Sequence, residues 1–295
     1  MNAMIADFVS DANAARPVTA GGTGAVTAAA ARDALGLEIG SDIPAFAAVS
    51  GMIYGLTLSN NGTDATNDID IATGSAIDST NAHVMTLASA LTKRLDAAWA
   101  VGTNQGGLDT GSIANTTYHV YLIKRLDTGV VDAIFSASAT SPTLPTNYTL
   151  FRRIGSIIRL SGAIIGFTQN GDRFTSQVVF ESTTTNPGTS AVTHTLVGIP
   201  TGIVVDAIIS GSALFSASSG NAPILYSPLA VGDFTPLTNG AYSFVVWDTT
   251  VTSGGGGQFV VQTNTSAQIR SRFGVSNAST VHRISTCGWI DRRGR

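Results

Sequence analysis

Two carboxylates, Asp68 and Asp70, stand two residues apart in Asp68-Ile69-Asp70-Ile71. On a strand that spacing puts both on one face. Glycosidases use such pairs as acid and base when the carboxyls lie roughly 5–10 Å apart in a groove. The coils of about 20 residues that build the long grooves of parallel β-helices have no counterpart here, so the pair reads as the polar end of a strand after a turn. The preceding run, Asn60-Asn61-Gly62-Thr63-Asp64-Ala65-Thr66-Asn67-Asp68, is rich in oxygen donors for calcium. It lacks the order and closing glutamate of an EF-hand loop and reads as a turn. The histidines His83, His119, His194 and His282 show no HxH or HxxxH spacing for zinc. No Gly-x-Ser-x-Gly elbow follows a strand. Gly21-Gly22-Thr23-Gly24 opens an alanine run but lacks the Gly-Lys-Ser/Thr end of a phosphate loop. No catalytic residue, metal or cofactor is expected, and the chain reads as a non-enzyme.

Sugar binding makes a different demand. An aromatic ring stacks on the apolar face of a sugar while neighbouring amides bind its hydroxyls. Tyr226, Tyr242 and Trp247, with Asn221 and Asn239 nearby in sequence, form the candidate platform. Tyr242 and Trp247 are five apart, so on one regular strand they face opposite sides and at least one belongs to the core. Trp289, in an apolar final strand, reads as core. Arg292, Arg293 and Arg295 read as a solvated basic tail or an ion pair between subunits.

The elements that must carry these residues are strands. Charged residues make up 12% of the 295, against about 25% in ordinary soluble domains. Glu38 and Glu181 are the sole glutamates, and Lys93 and Lys124 the sole lysines. The Glu/Lys-rich surface of solvent-facing helices is therefore missing, while Thr, Ser, Val, Ile and 32 glycines supply short strands and their corners. A fold mainly β with a small α+β part is expected. Around Asn60-Asn61-Gly62, strands are predicted at 52–58 and 68–72, and further strands at 118–124, 129–136, 153–160 and 163–168. Met85–Trp99 is predicted as one amphipathic helix, with Leu87, Leu91, Leu95 and Trp99 on one face and Lys93, Arg94 and Asp96 on the other. From 178 onward short strands follow one another, spaced like a β-sandwich or jelly-roll. Gly254–Gly257 is read as a flexible connection between two of them.

A net charge of −3 and a pI near 5.7, with thinly spread arginines, argue against nucleic acid. The single Cys287 excludes a disulfide framework. Asp7 and Asp11, with no early Lys or Arg, do not make a secretory signal. The charge-free stretch 207–232 is too diluted by Ser, Gly, Asn and Pro to span a bilayer, so no membrane insertion is expected. A chain with so little charge is expected to cover much of its surface with copies of itself or with partners.

Four zones organise the chain. Residues 1–20 are small and apolar around Ile5, Phe8 and Val9 and read as a docking segment. Residues 21–46 form a Gly/Ala-rich neck. Its helix is capped by Thr27 and closed by Gly36, and Ala28, Ala31 and Leu35 offer small surfaces for packing against identical copies. An α+β middle domain spans 47–177 and a C-terminal β-sandwich 178–295.

Gly21-Gly22-Thr23-Gly24-Ala25, the alanine run, Ala31-Arg32-Asp33-Ala34-Leu35-Gly36-Leu37 and Ile39-Gly40-Ser41-Asp42-Ile43 resemble the linker motif near the N-terminus of tailed-bacteriophage tail fibre and fibre-like proteins. Leu56–Asn61, Asp68–Ala72, Met85–Gly107 and Gly288–Arg295 are similar to virion proteins of phages and prophages of alphaproteobacteria. The resemblance implies a homotrimeric virion fibre or spike assembled in the host bacterial cytoplasm. It would attach through its N-terminus to another virion protein of the tail, neck or capsid. Its C-terminal β-domain would be a distal knob for host-surface polysaccharide. The alternatives are a capsid or neck decoration fibre without a receptor role and, further off, a polysaccharide depolymerase.

Overall fold

A computed structural model describes residues 25, 27–37, 50–215, 221–240, 242–247 and 253–293. The chain divides into two compact units, Met1–Val49 and Ser50–Arg295. In the first, helix α1 (Ala28–Ala34) starts where Thr27 Oγ1 accepts the Ala30 N–H at 3.2 Å. It stops at Gly36, whose φ of 67° suits a residue without a Cβ. There the Gly36 and Leu37 N–H groups return to the Asp33 and Arg32 carbonyls. No residue of α1 is buried.

The second unit is mainly β. Its first half holds β1 (Ile53–Gly55), β2 (Leu58–Asn60), β3 (Asp68–Ile71), β4 (Gly74–Ile77), β5 (Val84–Leu87), β6 (Leu91–Ala98), β7 (Gln105–Leu108), β8 (Thr117–Arg125), β9 (Val131–Ser136) and β10 (Tyr148–Leu160). The second half holds β11 (Ala163–Ile164), β12 (Phe167–Asn170), β13 (Arg173–Thr185), β14 (Val192–Thr195), β15 (Asp206–Phe215), β16 (Asn221–Pro228), β17 (Phe244–Trp247), β18 (Ser253–Gln262), β19 (Gln268–Phe273) and β20 (Val281–Ile290).

Thirteen of these strands form one sheet in the order β11-β10-β8-β9-β7-β6-β3-β2-β12-β13-β20-β15-β18. A three-stranded sheet, β1-β4-β5, and a four-stranded sheet, β14-β19-β16-β17, complete the unit. Pairing is antiparallel except at β6–β7 and β7–β9, where the strands run parallel. The division expected at residue 177 falls inside β13, and one hydrophobic cluster runs from Leu56 to Trp289.

Alternation dictates which side chains meet. Along β19, Ile269, Ser271 and Phe273 turn inward while Gln268, Arg270 and Arg272 stay partly exposed. β8 is buried on both faces: Tyr118, Val120 and Leu122 join the main core, and Tyr121 and Ile123 enter a second, smaller cluster with Ile134 and Tyr148. Trp289 is fully buried as expected, stacked on Phe174 at 5.1 Å.

Three expectations are corrected. The amphipathic helix of residues 85–99 is instead β5 and β6, joined through residues 88–90. Lys93, assigned to the solvent side, is fully buried between the inward-facing Leu91 and Leu95. Gly254–Gly257 is not a connection but the first half of β18, paired with Gly211–Leu214 of β15. A Cβ on Gly256 would come within 2.5 Å of the Gly211 carbonyl, so the absent side chain is what lets the strands close. Finally, the arginine tail is solvated only in part, Arg292 being 65% exposed, and both of its described arginines find carboxylates within the chain. Arg292 pairs with Asp206 at 2.8 Å, and the buried Arg293 pairs with Asp172 at 2.8 Å. Arg295 lies outside the described residues.

Candidate functional site

The second, smaller cluster leads to the candidate site. A cavity of about 720 Å³ opens beside it, with Trp99, Leu144 and Tyr148 of that cluster in its wall. Strand ends bring the wall together: Ala98, Leu108 and Arg125 close β6, β7 and β8, and Tyr148 opens β10. Thr110, Thr128 and Thr146 add hydroxyls.

Trp99 is held from three sides. Its Nε1–H donates to the Ala133 carbonyl at 3.1 Å, Tyr148 meets it edge-on at 5.2 Å, and the Lys93 ammonium lies 5.4 Å from the ring centroid. Lys93 is itself fixed. Its Nζ donates to the Ala100 carbonyl at 2.6 Å and pairs with Asp132 at 3.2 Å. Asp132 in turn accepts the Gly102 and Ala133 N–H groups, each at 2.7 Å. Burial pulls the lysine below its ordinary value, while the Asp132 charge works in the opposite direction.

The polar rim keeps spare hydrogen-bonding capacity. Asp109 accepts the Thr143 N–H at 2.9 Å, which ties down the start of the 143–146 segment and uses one of the several acceptor sites of a carboxylate. Arg125 gives its Nε and Nη2 donors to Asp127, leaving others of its five N–H groups for a ligand.

The sites expected from sequence fall elsewhere. Tyr226 is buried, its hydroxyl 2.7 Å from His282 Nε2, so it belongs to the core and is corrected from a ligand contact. The backbones of Asn221 and Trp247 pair in register across β16 and β17, Tyr242 is 42% exposed, and Asn239 sits in an exposed turn. In α1, Ala28 is exposed and Ala31 half-buried, and Leu35, just past its end, is exposed. Ile5, Phe8 and Val9 lie outside the described residues.

Asp68 and Asp70 do share one face of β3, opposite the buried Ile69 and Ile71. Asp70 is occupied by donors from Asn61 Nδ2 at 2.8 Å and Thr92 Oγ1 at 2.6 Å. Asp68 is pushed up by burial, then by the Asp64 and Asp96 charges. In the preceding loop, Asn61 Oδ1 receives the Thr63 and Asp64 N–H groups and Asp64 Oδ1 those of Thr66 and Asn67. The oxygens that a calcium ion would use thus close the turn instead. Among the described residues, no group of three His, Cys, Asp or Glu is placed to hold a metal.

Two histidine clusters escaped the sequence reading. His119 Nδ1 meets Ser156 Oγ at 2.9 Å, and Arg153 joins that serine to Asp291. Ser156 is fully buried and His119 is 1% exposed, so no substrate reaches the serine in this conformation. Burial, then the Arg153 charge, brings His119 down to about 4. His194 and His282 meet edge-on at 5.6 Å, and His194 bonds Ser271 at 2.8 Å. Burial, followed by the charge of His194, lowers His282 to about 3. Neither cluster carries a sequence signal, because its members come from strands far apart in the chain.

Among the described residues no helix is long and apolar enough to cross a membrane. Comparison of the chain with protein-family models and with curated proteins finds no match.

Proposed function

We propose that the chain is a structural fibre or spike protein of a tailed-phage virion that carries out no chemistry of its own. It is assembled in the host bacterial cytoplasm as a homotrimer. Residues 1–20 dock on another virion protein, the neck brings three copies together, and the β-body, ending in a sandwich-like C-terminal part, contacts host-surface polysaccharide.

The observation that carries this reading is the pairing of two unlike parts. A mainly β body with a continuous core is joined to a seven-residue alanine helix that buries none of its own residues. A helix so short is marginal in water alone. Leu35 at 49% exposure and Leu37 at 36% are surfaces that neighbouring copies would cover. The N-terminal phrase that resembles fibre linkers falls on the same segment.

Light scattering on the purified full chain tests the assembly. The expected mass is about three times 30.2 kDa, and a clean monomer overturns the trimer. Pre-incubating host cells with the purified chain tests the contact role. Fewer phage should adsorb, and unchanged adsorption at saturating protein counts against host binding.

A further inference from the structure

The geometry points to the Trp99 cavity as a saccharide-binding site, with the indole and Tyr148 as its aromatic floor and Asp109 and Arg125 as its polar rim. This rests on the reading of the chain as a polysaccharide-contacting protein and moves the contact away from the aromatic residues of the C-terminal part.

Three observations select a sugar over other small molecules. First, the aromatic surface is built before any ligand arrives. Trp99 is fixed by Ala133, Tyr148 and the buried Lys93, so binding spends little ordering entropy on the ring. Second, apolar and hydrogen-bonding groups share the cavity wall. Val101 and Pro145 are set among Thr110, Thr128, Asp109 and Arg125. A pyranose has this double character, with C–H faces that lie on an aromatic ring and hydroxyls that both donate and accept around its edge. A hydrocarbon chain would leave the remaining acceptor sites of Asp109 and donors of Arg125 without partners, at a cost in affinity. Third, a volume near 720 Å³ lies in the range of small-molecule sites and leaves room for more than one sugar unit.

The chain has three tryptophans, and each answers a different question. Trp99 lines the cavity, Trp289 is sealed in the core, and Trp247 belongs to the platform expected from sequence. The full chain labelled with 5-fluorotryptophan is titrated with glucose, galactose, mannose, rhamnose, N-acetylglucosamine and N-acetylgalactosamine, each to about 50 mM, since single sugars bind at millimolar strength. The 19F spectrum is followed, and Trp99→Phe assigns the cavity resonance.

At least one sugar should shift the Trp99 signal saturably and leave Trp289 unmoved. Val101→Arg, at a cavity-wall position 58% exposed, should keep the spectrum of the folded protein and weaken that shift at least tenfold. A saturable shift at Trp247 alone would overturn the cavity assignment while leaving sugar binding by the chain intact. No shift at any tryptophan, together with unchanged phage adsorption, would overturn both. A Trp99 shift that survives Val101→Arg in full would place the sugar outside the cavity.

Discussion

Lys93 and Asp132 are both sealed from solvent and meet at 3.2 Å immediately behind the Trp99 ring, on strands 39 residues apart in sequence. Their charges are satisfied as a set. The ammonium reaches the Ala100 and Gly102 carbonyls, and the carboxylate reaches the Gly102 and Ala133 N–H groups. The pair thereby pins residues 100–102 against β9 and fixes the support of the cavity floor.

Breaking one side of this pair strands the other charge in a dry interior. Lys93→Met and Asp132→Ala should each cost about 3–5 kcal/mol in urea denaturation at pH 7. The double variant should cost clearly less than the sum, because neither charge is then left alone. Additive losses would mean that the two groups act independently.

Acid should weaken the β-body well before its carboxylates titrate. His282 falls to about 3 and His119 to about 4, against about 6.5 unfolded, so both are neutral in the native state near neutrality. Their folded values lie below the unfolded ones, so the unfolded chain binds protons first as pH drops. The stability present above pH 6.5 is then lost progressively toward pH 3–4, at about 1.4 kcal/mol per pH unit for each histidine. Urea midpoints should fall between pH 7 and pH 5, and His282→Gln should make that fall shallower. Equal midpoints at the two pH values would contradict the buried neutral state.

The glycine run gives a position-dependent outcome. At Gly256 a new Cβ meets the Gly211 carbonyl at 2.5 Å, whereas at Gly254 the nearest atom is a Leu214 methyl at 3.1 Å, and that side chain can move aside. Gly256→Ala should therefore lower the melting temperature by several degrees, corresponding to about 1–3 kcal/mol, and Gly254→Ala should cost far less. Equal tolerance at both positions would return the run to a loose connection.

The residues that follow β20 are tied down by charge. Asp291 is 1% exposed and takes both Arg153 Nη groups and the Arg293 N–H. Asp291→Ala leaves Arg153, itself largely buried, without its carboxylate, and should cost about 3 kcal/mol or more in thermal unfolding. A change below about 0.5 kcal/mol would make the contact a surface one.

Much of the strand pattern was legible because turn residues and β-branched alternation are local signals. The turn at Asn60-Asn61-Gly62, the end of α1 at Gly36 and the burial of Trp289 all follow from a few neighbouring residues. The error at 85–99 has a specific cause. Leu87, Leu91 and Leu95 are four apart, and a spacing of four keeps residues on one face of a strand as well as of a helix. Lys93 was the discriminating residue, since only the strand turns it inward between Leu91 and Leu95, and its partner Asp132 is invisible to any local pattern. The glycine run misled for a related reason. Its use depends on close approach to Gly211 and Ser212 of β15, which lie more than 40 residues earlier. The cavity was missed altogether because Trp99 was placed on the apolar face of the supposed helix, while Asp109, Arg125 and Tyr148 join it only through sheet pairing.

The proposed placement of the chain in a virion is tested most directly by mass spectrometry of phage particles purified through a density gradient from a bacterial culture that carries its gene. The expected result is that its peptides persist in the purified particles, at a copy number per particle that is a multiple of three. Absence from particles in which every other structural protein is detected would contradict the fibre reading.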